Sequence, residues 1–167
     1  MLKNALMQLL EKKPIEKITI YELCDTAQIN RTTFYKYYGS QYDLLSDIEK
    51  DHFGKLEELL SERGVDSEDI LCKVLEALHE DENNYKILIN ALPDKDFSAK
   101  LFNLPVIRMQ IEKTIPETFS TREREHLCLF FYQGGYAIIR EWLNREDREP
   151  PKTLAAFLNG VIKKLMR

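Results

Sequence analysis

The side chains with the greatest capacity for binding chemistry lie together in the nine-residue segment from Asn30 to Tyr38, which reads NRTTFYKYY. It contains four aromatic residues, two cations, two threonines and an amide, and it contains no carboxylate. Arginine, lysine and hydroxyl side chains donate hydrogen bonds to anionic groups. The segment is therefore either a tyrosine-rich part of a core or a surface that binds another molecule.

Helical spacing separates an inner and an outer face of this segment. Phe34 and Tyr38 are four residues apart and would lie together on the inner face. The outer face would then consist of stacked pairs, Arg31 with Tyr35, Thr32 with Lys36 and Thr33 with Tyr37. Such donors suit phosphates, and the small side chains can approach base edges. A core helix is the alternative, but Tyr35 and Tyr37 cannot both face inward beside Phe34 and Tyr38.

A helix-turn-helix would position this face. Thr19 is a suitable N-cap and Glu22 completes a capping box, which predicts a short helix ending near Thr26. Its inner stripe would be Ile20, Leu23 and Cys24, with Ala27 and Ile29 packing at the turn. Asn30 would cap the next helix. In a helix-turn-helix, the second helix enters the major groove of DNA.

The remaining chain also predicts helices, so the expected fold class is all-α. No sustained period-2 pattern occurs, and only Lys17–Tyr21 looks briefly like a strand. A first helix ends before Pro14, and Ser40 with Asp43 begins a fourth helix that runs to about Arg63. We expect body helices at residues 67–79, 82–92, 98–115, 121–145 and 151–166, with the third of them kinked or broken at Pro105.

Composition indicates a soluble globular protein with 167 residues, 44% hydrophobic and 31% charged, which is either one domain or a small module fused to a larger one. No membrane span or signal-peptide core is recognisable, so we expect a cytoplasmic protein. The net charge is -4, but residues 1–38 carry six lysines and arginines against four acids, which leaves -6 for the remainder. A basic head on an acidic body is a weak indication of a nucleic-acid partner.

The sequence predicts neither an enzyme nor a metal or cofactor site. Cys24, Cys72 and Cys128 are far apart, which favours reduced thiols, with redox sensing by one of them as the alternative. The three histidines are scattered, and we expect each to be a surface or structural residue. No nucleophile–base pair, phosphate loop or metal-ligand spacing is recognisable.

Residues 18–45, ITIYELCDTAQINRTTFYKYYGSQYDLL, resemble the DNA-binding domain of the TetR/AcrR family of transcriptional regulators. The matching residues, in the family's order and spacing, are Thr19, Leu23, Ala27, Ile29, Thr33, Phe34, Tyr35, Tyr38, Asp43 and Leu44. The resemblance implies a DNA-binding domain at residues 1–45 and a regulatory and dimerisation domain at residues 46–167. It also implies a homodimeric regulator of a palindromic operator on double-stranded DNA, expected to be a repressor that a small molecule releases.

By this resemblance, Thr19 would contact a phosphate, Tyr35 and Tyr37 would hydrogen-bond to phosphates, and the bases and nearby backbone would face Arg31, Thr32, Thr33 and Lys36. Three features depart from the family pattern. Gln28 stands where a turn glycine is usual, so the backbone there is strained or differently arranged. Gln41 stands where a lysine is usual and would bind a phosphate without charge. A basic N-terminal extension is absent from the sequence given, so either the arm is missing or the natural start lies upstream.

The body predicts a dimer interface because two C-terminal helices carry more apolar surface than one small core requires. Gly134 and Gly135 lie inside the first of these helices, and each costs about 1 kcal/mol relative to alanine, which favours close approach of another backbone. The expected interface residues are Cys128, Gly135, Ile139, Trp142, Leu154, Phe157, Leu158, Val161, Ile162 and Leu165. A monomeric core is the alternative.

A pocket for a small hydrophobic or aromatic effector is a further expectation. Its candidate lining residues are Tyr85, Leu88, Leu101, Phe102, Ile107, Phe131, Tyr132 and Tyr136. Ordinary core packing is the alternative for each of them. A protein of another class also fits the sequence, namely an adaptor or co-activator that keeps the regulator fold but acts through a protein partner. Gln41, the short N-terminus and the acidic body motivate that alternative.

Overall fold

The helices are the only regular secondary structure in the part of the chain that the computed structural model describes, residues 1–61, 69–91 and 94–166, with the backbone alone for residues 94–96. The helices are α1 (Leu2–Leu10), α2 (Ile20–Thr26), α3 (Arg31–Tyr35), α4 (Gln41–Ser61), α5 (Ile70–Glu80), α6 (Glu82–Ala91), α7 (Asp94–Phe102), α8 (Pro105–Thr114), α9 (Thr121–Asn144) and α10 (Pro151–Leu165), with a 3-10 turn at Ile15–Lys17 between α1 and α2. The all-α prediction is confirmed.

The first three helices form a head around a small apolar core. Leu6, Leu23 and Phe34 are completely buried, one from each helix, and α1 packs against both α2 and α4. The connecting helix α4 contributes Leu44 and Leu45 to the same core. The head is therefore built on the N-terminal end of the long helix that continues into the body.

The body is a set of helices around α5 and α9. Helix α10 packs along α5, while α9 packs against α6, α7 and α8. Buried side chains such as Leu75, Leu88, Phe97 and Trp142 fill the interior. Helix α1 also contacts α6, so the head touches the body at a second place besides α4. None of the helices in the described residues is long and apolar enough to span a lipid bilayer.

Side-chain hydrogen bonds and an ion pair fix the ends of the body helices. Ser120 and Glu123 form a capping box at the start of α9. Arg124 donates hydrogen bonds to the carbonyls of Glu112 and Ile115, which closes the end of α8. Arg148 forms an ion pair with Glu82 and thereby ties the α9–α10 loop to α6.

Most helix boundaries agree with the sequence analysis, and two differ from it. Helix α7 begins at Asp94 and not at residue 98, whereas the break at Pro105 is one of the two expected outcomes, because proline suits the first turn of a helix and not its interior. Helix α3 ends at Tyr35 and is followed by a turn, so the helix expected to extend to Tyr38 is shorter. The ends expected at Arg63, Ser67 and Leu92 lie outside the described residues.

Candidate nucleic-acid interface

A tight turn after α2 sets the angle of α3. Ala27 ends α2, the Gln28 N–H donates to the Asp25 carbonyl at 3.1 Å, and the Ile29 N–H donates to the Cys24 carbonyl at 3.0 Å. This pair of hydrogen bonds is a Schellman motif, which requires a left-handed residue at its centre. Gln28 has a φ of 53°, and it is the only non-glycine residue with positive φ in the described part of the chain. The turn glycine is therefore replaced without loss of the motif, at the cost of backbone strain.

The start of α3 is fixed by its cap and its buried aromatic residue. The Asn30 Oδ1 accepts a hydrogen bond from the Thr33 N–H at 2.7 Å, as the sequence predicts for an N-cap. Phe34 is completely buried in the head. Tyr38 lies half-buried beyond the end of the helix and donates its hydroxyl to Asp47 Oδ2 at 2.8 Å. Both inner-face residues therefore anchor the segment to the head.

The outer face of the segment carries its polar groups into solvent. Tyr35 is 58% exposed and Tyr37 is 73% exposed, while Arg31, Thr32 and Lys36 are also exposed and Thr33 is half-buried. Among the residues that the structure describes, none forms a hydrogen bond or an ion pair with the side chains of Arg31, Lys36 or Tyr37. A cation and hydroxyl surface without internal partners has its full bonding capacity available for an external anion.

Thr19 and Gln41 lie at helix starts on either side of α3. The Thr19 Oγ1 accepts the Glu22 N–H at 3.2 Å, which leaves the hydroxyl proton available to a phosphate. Gln41 is the first residue of α4 and is half-buried. Two exposed tyrosines that the sequence analysis did not include, Tyr21 on α2 and Tyr42 on α4, lie one residue from the helix starts at Ile20 and Gln41. The sequence did contain a signal for these two tyrosines, because each follows a predicted N-cap, Thr19 or Ser40, by two residues and so lies in the first turn of its helix.

Three of the carboxylates near this face in sequence are engaged within the head, whereas Asp25, on α2, is exposed. Glu22 forms an ion pair with Lys13 at 2.5 Å rather than completing the capping box. Asp43 accepts the Gly39 N–H at 3.0 Å, and its own N–H donates to Ser40. Asp47 binds Lys3 at 2.9 Å. The hydrogen bonds from Lys3 and then Tyr38 lower the pKa of Asp47, while burial and the bond to Asp47 raise the pKa of Tyr38. The ion pairs with Lys13 and Lys3 neutralise the charges of Glu22 and Asp47, which would otherwise repel an anionic ligand.

The eight residues expected to line one effector pocket are not brought into a single cavity. Leu101, Phe102, Ile107 and Phe131 line an apolar groove of 270 Å³ between α5, α7, α8, α9 and α10. The other four lie elsewhere: Tyr85 in a polar cleft between α1, α4 and α6, Leu88 completely buried, Tyr132 stacked on Phe102, and Tyr136 buried against Phe97. Residue type and helical spacing do not determine which helix an aromatic side chain meets. Within the described residues, no three metal-ligating side chains cluster.

The residues expected at the dimer interface also divide into two groups. Ile139, Trp142 and Leu154 are buried in the chain's own core, against which α9 and α10 pack. Phe157 is 64% exposed, Leu165 is exposed, and the other five members are half-buried, namely Cys128, Gly135, Leu158, Val161 and Ile162. Exposed apolar residues that the sequence analysis did not include, Leu129, Phe130 and Ile138, lie on α9 as well. Leu129 lies about 180° around α9 from Ile138, so we call only the other four exposed residues, Phe130, Ile138, Phe157 and Leu165, the open apolar face.

A capped helix-turn-helix head, joined by one long helix to an all-helical body, is the architecture of a transcriptional regulator. Residues 66–164 match the family model for a "Transcriptional regulator C-terminal region", TetR_C_8, over more than half of the chain. The chain belongs to the TetR family of transcriptional regulators. Regulators of this family bind DNA and usually form dimers.

Individual relatives agree with this assignment. The chain is 22% identical over 161 residues to the uncharacterized HTH-type transcriptional regulator YxbF of Bacillus subtilis (strain 168). The match covers 92% of this chain and 41% of that relative, so the chain spans about two fifths of the relative's length.

Three solved structures share the fold. A TetR transcriptional regulator from Streptococcus agalactiae 2603V superposes with a TM-score of 0.79 at 21% identity, covering 96% of this chain and 90% of that one. The dihydroxyacetone kinase operon activator DhaS gives 0.63 at 22% identity, with 99% and 93% covered. The TetR family repressor AlkX from Dietzia sp. strain DQ12-45-1b gives 0.51 at 19% identity, with 99% and 92% covered.

Proposed function

We propose that this protein is a homodimeric transcriptional regulator that binds a palindromic operator through residues 1–45 and represses transcription until a small molecule bound in residues 46–167 releases it. The observation that carries the proposal is the outer face of the segment from Asn30 to Tyr38, where the exposed side chains of Arg31, Lys36 and Tyr37 form no hydrogen bond or ion pair with any residue that the structure describes. Repression requires only that the operator be occupied, whereas activation requires a further contact with the transcription machinery, so repression is the first sign of regulation to test.

The roles within this face are those that the resemblance to the TetR/AcrR family implies. Tyr35 and Tyr37, which are both exposed, are assigned to phosphates, together with Thr19 and Gln41. Arg31, Thr32, Thr33 and Lys36 are assigned to base edges and adjoining backbone. Phosphate contacts set the position of the head on the duplex, and base contacts select the sequence.

The test is selection of a duplex from fragmented genomic DNA, followed by affinity measurement on the enriched sequence. Tyr35→Ala and Lys36→Ala should each weaken binding. The loss should be about 1 to 3 kcal/mol if Lys36 makes a bidentate contact to a base, and smaller for Tyr35, which is assigned to one phosphate. Lys113→Ala is a matched control, because Lys113 is exposed on α8 in the body. Unchanged affinity in both head variants would show that another surface binds the operator.

The open apolar face supports the dimeric state in the proposal. Large apolar side chains that are exposed together mark protein interaction surfaces more often than isolated ones do. The face lies on α9 and α10, so two copies related by a two-fold axis could pack their helices as a four-helix arrangement. A palindromic operator requires such a symmetric pair of heads.

Sedimentation velocity on single variants tests the dimer. Phe157→Ser should shift the protein from dimer to monomer, because Phe157 is the most exposed residue of the open apolar face. Met109→Ser is the control, since Met109 is 53% exposed but lies on α8 outside the open apolar face. A monomer in the unchanged protein at micromolar concentration would remove dimerisation from the proposal.

An adaptor that acts through a protein partner is the second candidate. It is favoured by the uncharged Gln41 at the start of α4 and by the net charge of -6 outside residues 1–38. Failure to enrich any duplex would support the adaptor, whereas enrichment with a steep loss of affinity at higher salt would support the DNA-binding regulator.

A further inference from the structure

The segment from Asn30 to Tyr38 has little regular structure of its own to hold it in place. Helix α3 contains only five residues, Arg31–Tyr35, and a helix of this length is not stable by itself in water. The next two residues, Lys36 and Tyr37, form a turn, in which the Tyr37 N–H donates to the Phe34 carbonyl at 3.0 Å. The positions of the Lys36 and Tyr37 side chains therefore depend on the contacts that fix the two ends of the segment.

The far end of the segment is fixed by Tyr38 in two ways. Its half-buried ring packs against the ring of Phe34, with 5.9 Å between the ring centroids. A phenylalanine at this position would supply the same packing, because only the ring takes part in it. The hydroxyl group of Tyr38 adds a directed bond that ring packing does not provide.

This hydroxyl meets a carboxylate oxygen that also binds a lysine. The Tyr38 hydroxyl donates to Asp47 Oδ2 at 2.8 Å, and Lys3 Nζ lies 2.9 Å from the same oxygen. Lys3 Nζ also binds Asp51 Oδ2 at 2.6 Å, one turn further along α4. One oxygen atom of Asp47 thus joins α1, α4 and the turn after α3. We call Tyr38, Asp47 and Lys3 the three-element junction.

The charges of the three-element junction favour a fixed orientation of its groups. The hydrogen bonds from Lys3 and then Tyr38 lower the pKa of Asp47, and the bonds to Asp47 and Asp51 raise the pKa of Lys3. Asp47 is therefore ionised at neutral pH, and an ionised acceptor forms a stronger hydrogen bond than a neutral one. The side chains of Lys3 and Asp47 are 35% and 40% exposed, so the pair contributes orientation more than stability.

We propose that Lys3, Asp47 and the Tyr38 hydroxyl are positioning groups, which hold the end of the segment so that Lys36 reaches a base edge and Tyr37 reaches a phosphate. This inference rests on the proposed function, because it concerns the same DNA-binding face. Without the three-element junction, the cations and hydroxyl groups of the face remain and still attract DNA. Selection of a sequence should decrease, because contacts with base edges need directed hydrogen bonds.

Asp47→Ala tests the inference through the sign of its effect. Alanine is the best helix former, and removal of a negative charge from the head favours DNA binding in general. Loss of positioning has the opposite effect on the duplex enriched by selection, and we expect its affinity to fall by roughly 3- to 10-fold. An unselected duplex of the same length should bind at least as tightly as it binds to the unchanged protein.

Tyr38→Phe tests the hydroxyl without changing any charge. It keeps the ring against Phe34, and we expect the same loss of roughly 3- to 10-fold for the selected duplex. The affinity for the unselected duplex and the salt dependence should not change, because no cation is removed. Circular dichroism and urea unfolding establish that each variant is folded.

Asp51→Ala is the matched control on the same helix. Asp51 also binds Lys3, but its carboxylate does not accept the Tyr38 hydroxyl. The substitution removes the same charge as Asp47→Ala and leaves the bond between Tyr38 and Asp47 in place. We expect the affinity for the selected duplex to stay within about 2-fold of that of the unchanged protein.

Amide hydrogen exchange measured by NMR tests the same inference without DNA. The Tyr37 amide is bonded to the Phe34 carbonyl, so its exchange rate reports how well the end of the segment is held. We expect exchange of this amide to be roughly 3- to 10-fold faster in Tyr38→Phe and in Asp47→Ala, and unchanged in Asp51→Ala.

The outcomes separate this inference from the function on which it rests. The inference is overturned if Tyr38→Phe and Asp47→Ala bind the selected duplex as tightly as the unchanged protein does. Equal losses for the selected and unselected duplexes, or an unchanged exchange rate at Tyr37, overturn it as well. A protein that enriches no duplex overturns the proposed function, and with it the role in selection, whereas faster exchange at Tyr37 would still support the hold on the segment.

Discussion

The left-handed residue in the turn before α3 makes a sharp prediction about stability. Gln28 has a φ of 53° at the centre of the Schellman motif, where glycine has no steric penalty. A residue with a Cβ atom costs about 1 to 2 kcal/mol in this conformation. Replacement by glycine removes that cost but increases the freedom of the unfolded chain, which offsets about 0.4 to 1 kcal/mol. Gln28→Gly should therefore stabilise the protein by roughly 0.5 to 1 kcal/mol.

Urea unfolding followed by circular dichroism measures this difference. The protein concentration must be equal for all variants, because any association makes the apparent stability depend on concentration. Gln8→Gly is the matched control: it makes the same chemical change on the exposed side of α1, where φ is helical. The control should destabilise the protein by about 1 kcal/mol.

The opposite signs of these two glutamine-to-glycine changes are the result that matters. The reasoning is refuted if Gln28→Gly destabilises the protein as much as Gln8→Gly does. In that case the backbone at Gln28 is not left-handed in solution, and the turn that aims α3 is built differently.

Two further predictions concern the body. Gly134→Ala should stabilise α9 by up to about 1 kcal/mol, because a Cβ atom at position 134 would meet no other atom. Gly135→Ala should be less stable than Gly134→Ala by about 1 kcal/mol or more, because a Cβ atom at position 135 would meet the Phe102 ring. Thermal unfolding of the two variants measures this difference. Burial raises the pKa of Tyr85 from 10.0 to about 12, so the folded state favours the protonated phenol, and the stabilisation is complete below pH 10 and is lost as the pH rises to 12. At pH 11 this loss amounts to about 1.4 kcal/mol. Tyr85→Phe, which also loses the hydrogen bond to the His52 carbonyl, should remove that part of the pH dependence of the free energy of unfolding in urea. If the free energy of unfolding falls between pH 10 and 12 as steeply in Tyr85→Phe as in the unchanged protein, the prediction is contradicted.

The local signals in the sequence predicted the head well because they act over a few residues. Asn30 caps α3 through the Thr33 N–H, and Thr19 caps α2 through the Glu22 N–H. The glutamine at the turn was recognised as a place of strain. The partner of the Glu22 carboxylate was not predictable, because Lys13 reaches it from a different element.

Tertiary packing determines which apolar residues of α9 and α10 are buried, and the sequence pattern alone does not predict this. The apolar stripes of α9 and α10 are wide, and their spacing does not tell which edge faces the chain's own core. Trp142 and Leu154 face inward, whereas Phe157 remains exposed. The buried Glu49 and its pairing with Lys100 gave no sequence signal, since an acidic residue in a long helix is usually exposed.

The salt dependence of operator binding tests the central claim most directly. Binding of the enriched duplex is measured from low to high salt for the unchanged protein, for Lys36→Ala and for the body control Lys113→Ala. Contacts between the outer face and phosphates predict that affinity falls steeply with salt, and that Lys36→Ala reduces the slope of log affinity against log salt by about 1 while Lys113→Ala leaves it unchanged. A flat salt dependence, or the same slope in all three proteins, would contradict the assignment of the segment from Asn30 to Tyr38 as the DNA-binding surface.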